Sequence, residues 1–427
     1  MLADGYGLPL TTESADAATR YDAAVRGFLE WSARNVDLFG AAIAEDPSLA
    51  VAHAGLAISL FMDERFAEAR ESAKRARETA RGATERERGH VSAIAAFVEG
   101  RIPEAETRMR EHVARHPRDL LIAQRLYSLY FYQGRGQEML DLTTALMPAH
   151  DRRGYVLGLH SFALEELDHC REALRLAEAA MDDNPEDTWA VHAFAHAIYE
   201  MGASRVGVRE LPPAVAGCTR VGWYRNHLLW HVVLMHLATG EYEQGSALCH
   251  EWFEREPSAL SLDIRNTVSA LWRLRLAGLD VSARLRPFAA MLADRLDRPE
   301  DLAFHHAHLA LTFAGAGEWD LARTHLDRLR ARARSAPPVF GEVAVPIAEG
   351  FHAFASGDWR GVIEKVEPIR HRIVELGGSR TQRDIFHDTL LEACLQAGDA
   401  ERGRRLLAER IQRRADHVWV ARSAAAA

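Results

Sequence analysis

The hexapeptide 134-GRGQEM-139 returns in altered form along the chain, as 100-GRIPEA-105 before it and as 168-DHCREA-173, 240-GEYEQG-245, 317-GEWDLA-322, 357-GDWRGV-362 and 398-GDAERG-403 after it. Gly100, Gly134, Asp168 and Gly202 are each 34 residues apart. Apolar residues recur at helical period on both sides of these turns. Prolines follow at a constant offset: Pro117, Pro185 and Pro257 lie 17 residues beyond Gly100, Asp168 and Gly240. Glycine supplies a tight turn and proline cannot continue a helix, so each unit reads as helix, turn, helix, stop.

A repeated helix pair of this length resembles the tetratricopeptide repeat (TPR). The match covers nearly the whole chain, although the step lengthens to 38 residues from Gly202 to Gly240, 40 from Gly317 to Gly357 and 41 from Gly357 to Gly398. Such pairs cannot bury their apolar faces alone and stack into a superhelix. The expected fold is therefore all-α, a TPR-like α-solenoid of antiparallel helix pairs forming one domain over residues 1–427. Two stretches break the period. Residues 203–222 read as a longer, partly helical connection, and residues 333–346, with Pro337 and Pro338, read as a loop. The terminal 423-SAAAA-427 is expected to fray.

Bulk properties narrow the partners. The chain has 427 residues, 48% of them hydrophobic, with a formal net charge of −9 and a pI near 6.2. An acidic balance with no basic stripe excludes nucleic acid and anionic membrane as the main partner. The opening 1-MLADGYGLPLTTES-14 lacks a basic segment followed by an apolar run, and no apolar stretch approaches the ~20 residues of a membrane span. The expectation is a cytoplasmic protein. Cys170, Cys218, Cys249 and Cys394 are widely spaced and form no CxxC pair, which argues against a disulfide framework or a thiolate metal site. Lysine occurs only at positions 74 and 365, so almost all positive charge is arginine.

Several segments carry a closer likeness: 6-YGLPLTT-12, 89-GHVSAIAAF-97, 191-VHAFAHAIYEMG-202, 227-HLLWHVVLMHLATGEYE-243 and 369-IRHRIVELGGSRTQRDIFHDTLLEA-393. In these the chain resembles the tetratricopeptide repeat protein 38 family, from its N-terminus to about residue 412. The resemblance implies the repeat fold; the family carries no established reaction.

The TPR resemblance also implies that the first helix of each pair lines a concave groove. With the turn glycine counted as position 15, groove-facing side chains fall at positions 2, 5, 6, 9, 12 and 13. The unit turning at Gly202 then presents Trp189, His192, His196, Tyr199 and Glu200. The next unit presents His227, Trp230 and His231; His308 and His90 occupy groove positions in the units turning at Gly317 and Gly100, and His306 and His387 fall on packing positions.

The pairs His192/His196 and His227/His231 have i, i+4 spacing, which puts both rings on one helical face with Cβ atoms ~5–6 Å apart. That spacing lets a helix offer two imidazoles to one metal ion, as HExxH does, but HAFAH and HLLWH lack the internal glutamate. His192, His196, His227 and His231 suit Zn(II), Cu(II), Ni(II) or Fe(II), a divalent transition metal. The competing assignment is a neutral, hydrogen-bonded packing cluster. A hydrolytic centre would draw its base from Glu165, Glu166 or Glu200, with His192 and His231 as acid and base candidates. No reaction type follows.

Two functional classes remain. In one, Trp189, His192, His196, Tyr199, His227, Trp230, His231, His308 and Arg383 line a pocket for a small molecule, Arg383 supplying a bidentate donor to an anion. In the other, the groove is a scaffold for a peptide or partner helix. Chaperone-binding TPR proteins use lysines on first helices, whereas Lys74 and Lys365 fall on second helices. The segment 380-RTQRDIFHD-388 also reads as helix-start ion pairing, and 377-GGS-379 as a helix stop with no preceding strand to make a phosphate loop.

Overall fold

First helices of the repeat are apolar on all sides, and second helices are apolar along one stripe. In Thr188–Glu200 all 13 residues are buried, whereas Cys170–Asp183 buries Ala173, Ala177 and Ala180. An all-round apolar helix must be covered on every side, and a striped one can face water. The sequence thus sorts its own helices into an inner and an outer layer. The computed structural model describes residues 2–151, 154–298 and 302–414. Among these, 22 α-helices and one two-stranded pairing, Leu2–Ala3 with Pro9–Leu10, make an all-α superhelical repeat array.

The turn within each pair is left-handed. Gly100, Gly134, Gly202, Gly240, Gly278, Gly317, Gly357 and Gly398 have φ between 68° and 96°, and Asp168 takes the same conformation at 72°. Glu64 at 59° and Trp31 at 57° occupy the equivalent position in the first two pairs. Left-handed backbone costs a non-glycine residue roughly 1 kcal/mol or more, and both side chains are used, as described below.

The stretch 203–222 holds a regular second helix, Ser204–Gly217, with Pro212 and Pro213 inside it. The prolines point away from the core while Leu211 and Val215 are buried, so packing of the inner face outweighs the lost backbone bonds. In 333–346 the connection is shorter than expected: the π-turn Phe340–Ala344 runs directly into the helix Val345–Ala355. The fraying expected for 423–427 lies outside the described residues. Lys74 and Lys365 are on the second helices Phe66–Thr79 and Trp359–Val366, which removes a lysine clamp from the inner layer.

The array curls until its ends meet its middle. Trp31 O accepts from Gly222 N at 2.7 Å, and Thr188 Oγ1 donates to Glu30 O at 2.9 Å. Glu64 accepts from Ser261 N at 2.6 Å and pairs with Arg298. From the other end, Gly377 lies so close to Tyr132 that a Cβ there would stand 2.2 Å from the Tyr132 carbonyl oxygen. The helix Arg380–Gln396, capped by Ser379 and Gln382, sends Arg380 N to Glu166 Oε1 at 2.8 Å. Contacts across 158, 197 and 214 residues thus cross the concave side and turn a groove into an enclosed space.

Candidate functional site

The inner helices Tyr155–Glu166, Thr188–Glu200, Tyr224–Ala238 and Ser261–Leu276 lie in succession. Asp187 caps the second of these, accepting from Trp189 N and Ala190 N at 3.0 and 3.1 Å. From that fixed start, His192 and His196 follow at one-turn spacing. His227 and His231 do the same on the next helix, and the rings close into a square. Centroids are 4.5 Å apart for His192–His196 and His196–His231, and 4.9 Å for His192–His227 and His227–His231. One ring nitrogen from each lies within 4.8 Å of those of the other three.

All four rings are at most 4% exposed. Burial holds every one in its neutral form, His196 pushed down to about 4 and His227 to about 3, with the neighbouring rings adding to the effect at His192, His227 and His231. Neutral imidazoles have a lone pair to give. The outer nitrogens of two rings face oxygens: His227 Nδ1 donates to Asn266 Oδ1 at 3.2 Å, and His196 Nδ1 lies 3.4 Å from Glu165 Oε2 and 3.3 Å from Thr381 Oγ1. Their Nε2 atoms face the centre, where His192 Nε2 and His227 Nε2 are 3.0 Å apart. His192 Nδ1, His196 Nε2 and both nitrogens of His231 have no hydrogen-bond partner. Buried polar atoms are nearly always satisfied, so a concentration of orphans on facing rings is an observation that asks for a bound group. The orientation of outer nitrogens by oxygen acceptors is also what metal-ligating histidines show.

This centre forms the floor of a cavity of about 640 Å³. His192 and His227 are on its wall with Trp31, Trp189, Tyr224, Phe97, Phe131 and Arg125, and the exposed Arg70, Glu99 and Gly100 lie on its rim. Trp31, delivered by its left-handed turn, stacks on Tyr224 at 4.4 Å and Trp189 at 6.0 Å and meets Trp223 edge-on at 5.3 Å. Glu64 holds the cavity wall through Ser261 and Arg298.

Of the residues singled out in the sequence, Trp189, His192 and His227 line the cavity, and His196 and His231 complete the histidine square beneath it. Trp230 stacks on His227 at 5.3 Å and donates to Ser269 Oγ at 3.1 Å, so it walls the centre. Tyr199 lies against the Arg414 guanidinium at 4.5 Å. His308 donates Nδ1 to Phe304 O at 2.9 Å and faces a separate, water-sized void with Arg265 and Arg295. Arg383 pairs with Glu166 at 3.1 Å and donates to Gly378 O, so its guanidinium serves to dock the last helix pair. Glu200 is held by Arg413, Arg414 and Thr381; burial alone would raise its pKa, but Arg414 and Arg413 outweigh that and keep it ionised. Glu165 has the opposite environment: burial and the Glu200 charge raise it, and neither oxygen has a hydrogen-bond partner. His90 is not on the cavity wall; with His112 and Arg86 it donates to Asp119 Oδ2 at 2.9, 2.9 and 3.2 Å.

Arg125, Ser128, Phe131, Tyr132 and Phe97 were not singled out, although the groove numbering places them at positions 6, 9, 12, 13 and 12 of the units turning at Gly134 and Gly100. The signal was present and was applied only to histidines and their neighbours. Trp31 and Tyr224 had no such signal, because one belongs to a turn and the other to the start of a helix.

No helix among the described residues is long and apolar enough to cross a membrane. Compared with known protein families, the sequence matches none. Among solved structures it is similar to a chain of the complex described as "Structure of Naa15/Naa10 bound to HypK-THB", with 13% identity and a TM-score of 0.23 over 95% of this chain. The match spans 64% of that chain, less than two thirds of its length.

Proposed function

We propose that the protein, as one TPR-like array of the tetratricopeptide repeat protein 38 type, encloses a small molecule above a metal ion held by His192, His196, His227 and His231. The observation that carries this reading is the enclosed aromatic cavity of about 640 Å³ whose floor is the histidine square. Ligand pockets typically occupy ~300–1,000 Å³, with apolar walls and a few convergent polar groups. Four imidazoles can fill the tetrahedral shell of zinc, and a filled shell suits a structural or ligand-sensing ion better than a hydrolytic one, which keeps a position open. Four free cysteines fit a reducing compartment such as the cytoplasm.

A peptide running along the groove, the usual occupant of TPR arrays, meets the crossing contacts of Trp31, Glu64 and Gly377. These favour a small ligand. The test is native mass spectrometry of gently purified protein, beside Ser128→Trp, which fills the cavity from the wall opposite the histidines. A non-covalent mass on the native protein that is absent from the folded variant supports the reading. The same occupancy in both, or a bound peptide, contradicts it.

A further inference from the structure

Arg125 is 6% exposed and lies on the cavity wall. Its Nη2 donates to Gln124 Oε1 at 3.3 Å and Ser128 Oγ at 3.1 Å, and its Nε has no partner. The guanidinium sits 5.3 Å from the Phe28 ring centre and 5.8 Å from that of Trp31. Among the described residues no carboxylate pairs with it. The two acids of the cavity wall are engaged elsewhere, Glu64 with Ser261 and Arg298, and Glu99 with Arg77 and Arg101. A buried cation without a counter-ion is costly, and burial accordingly lowers Arg125 to about 10. Other buried arginines of this protein have their acids: Arg86 has Asp119, Arg383 has Glu166, and Arg410 has Asp384 and Asp388. Against that pattern Arg125 stands out, and it stands beside stacked rings of Trp31, Trp189 and Tyr224.

We infer that the cavity's ligand is an anion with a flat apolar body, most simply an aromatic carboxylate, whose carboxylate pairs with Arg125 while its body stacks among Trp31, Trp189 and Tyr224. Guanidinium binds carboxylate through two parallel hydrogen bonds, and the Ser128 hydroxyl is placed to add a third. The inference rests on the cavity reading of the preceding section and adds the charge and shape of what fills it. It does not depend on the metal.

Two fluorescent probes separate the two readings: 1-pyrenebutyric acid, an anion at neutral pH, and 1-pyrenebutanol, the same ring system without the charge. Each is titrated into the full-length protein, Arg125→Gln and Arg125→Lys. The native protein is expected to prefer the acid by tenfold or more. Arg125→Gln is expected to weaken the acid at least about thirty-fold, the effect of removing one partner of a buried charge pair, and to leave the alcohol unchanged; lysine restores part of the loss. Equal binding of acid and alcohol to the native protein overturns the inference and leaves the cavity standing. Binding of neither probe overturns both. Should Arg125→Gln fail to fold, the acid-against-alcohol preference of the native protein still decides.

Discussion

His231→Leu should leave the metal-free protein as stable as before or more so, and should abolish its stabilisation by zinc. Both nitrogens of His231 are buried without a hydrogen-bond partner. Each such group costs about 1–3 kcal/mol, so a neutral imidazole in this place is a net burden until something binds it. Leucine has nearly the same volume, and a volume-conserving exchange in a packed core costs under about 1.5 kcal/mol. The two terms place the metal-free variant between equal stability and a gain of about 2–3 kcal/mol. Zinc at about a hundred times its dissociation constant adds about 2.7 kcal/mol to the native protein. At about 1–2 °C per kcal/mol for a chain of this size, the native midpoint rises by about 3–5 °C and the variant's stays. The assay is thermal unfolding followed by far-UV circular dichroism, with chelator and then with zinc in slight excess. A variant destabilised by several degrees in chelator, or raised by zinc as much as the native protein, would refute the reasoning.

Four other outcomes follow from the same geometry. Asn266→Leu removes the acceptor that orients His227 and should weaken zinc binding about 10–100-fold, read by competition with a fluorescent chelator; unchanged affinity would remove Asn266 from the centre. Glu200→Gln leaves Arg413 and Arg414 short of a buried counter-charge and should cost about 3 kcal/mol or more, measured by denaturant unfolding, with the loss concentrated in the last helix pair by hydrogen exchange. His308 is pressed down to about 3 by burial, against an ordinary value of 6.5. Its unfolded form therefore binds a proton that the folded form refuses: stability is full above pH ~6.5 and falls by about 1.4 kcal/mol per unit below it. His308→Gln should reduce the slope of stability against pH by about one proton between pH ~6 and ~4, and an unaltered slope would count against this. Trp31→Ala removes the stack on Tyr224 and Trp189 and should cost about 2–4 kcal/mol together with binding of pyrene probes; retention of both would mean the cavity is not closed by this residue.

The repeat and the histidine square were legible because both are local. A 34-residue step places equivalent positions of consecutive first helices side by side, so His192/His196 and His227/His231 had to meet once the helices stacked. The numbering that identified them also covers Arg125 and Phe131. Closure of the array was not legible. It depends on Trp31 and Glu64 meeting residues more than 150 positions away, and on a superhelical curvature that accumulates from small rotations at every pair. The Pro212–Pro213 pair misled for a related reason: a local breaker signal was overridden by Leu211 and Val215 packing inward. Arg383 looked like an anion site because its partner, Glu166, lies 217 residues away.

Metal content is the most direct test of the central claim. The protein, purified without a histidine tag or chelator, and its His192→Ala/His231→Ala variant are compared by elemental mass spectrometry, each with its fold checked by circular dichroism. The account predicts close to one equivalent of a divalent transition metal in the native protein and loss of it from the folded variant. No metal in either after supplementation with zinc, or equal metal in both, would contradict it.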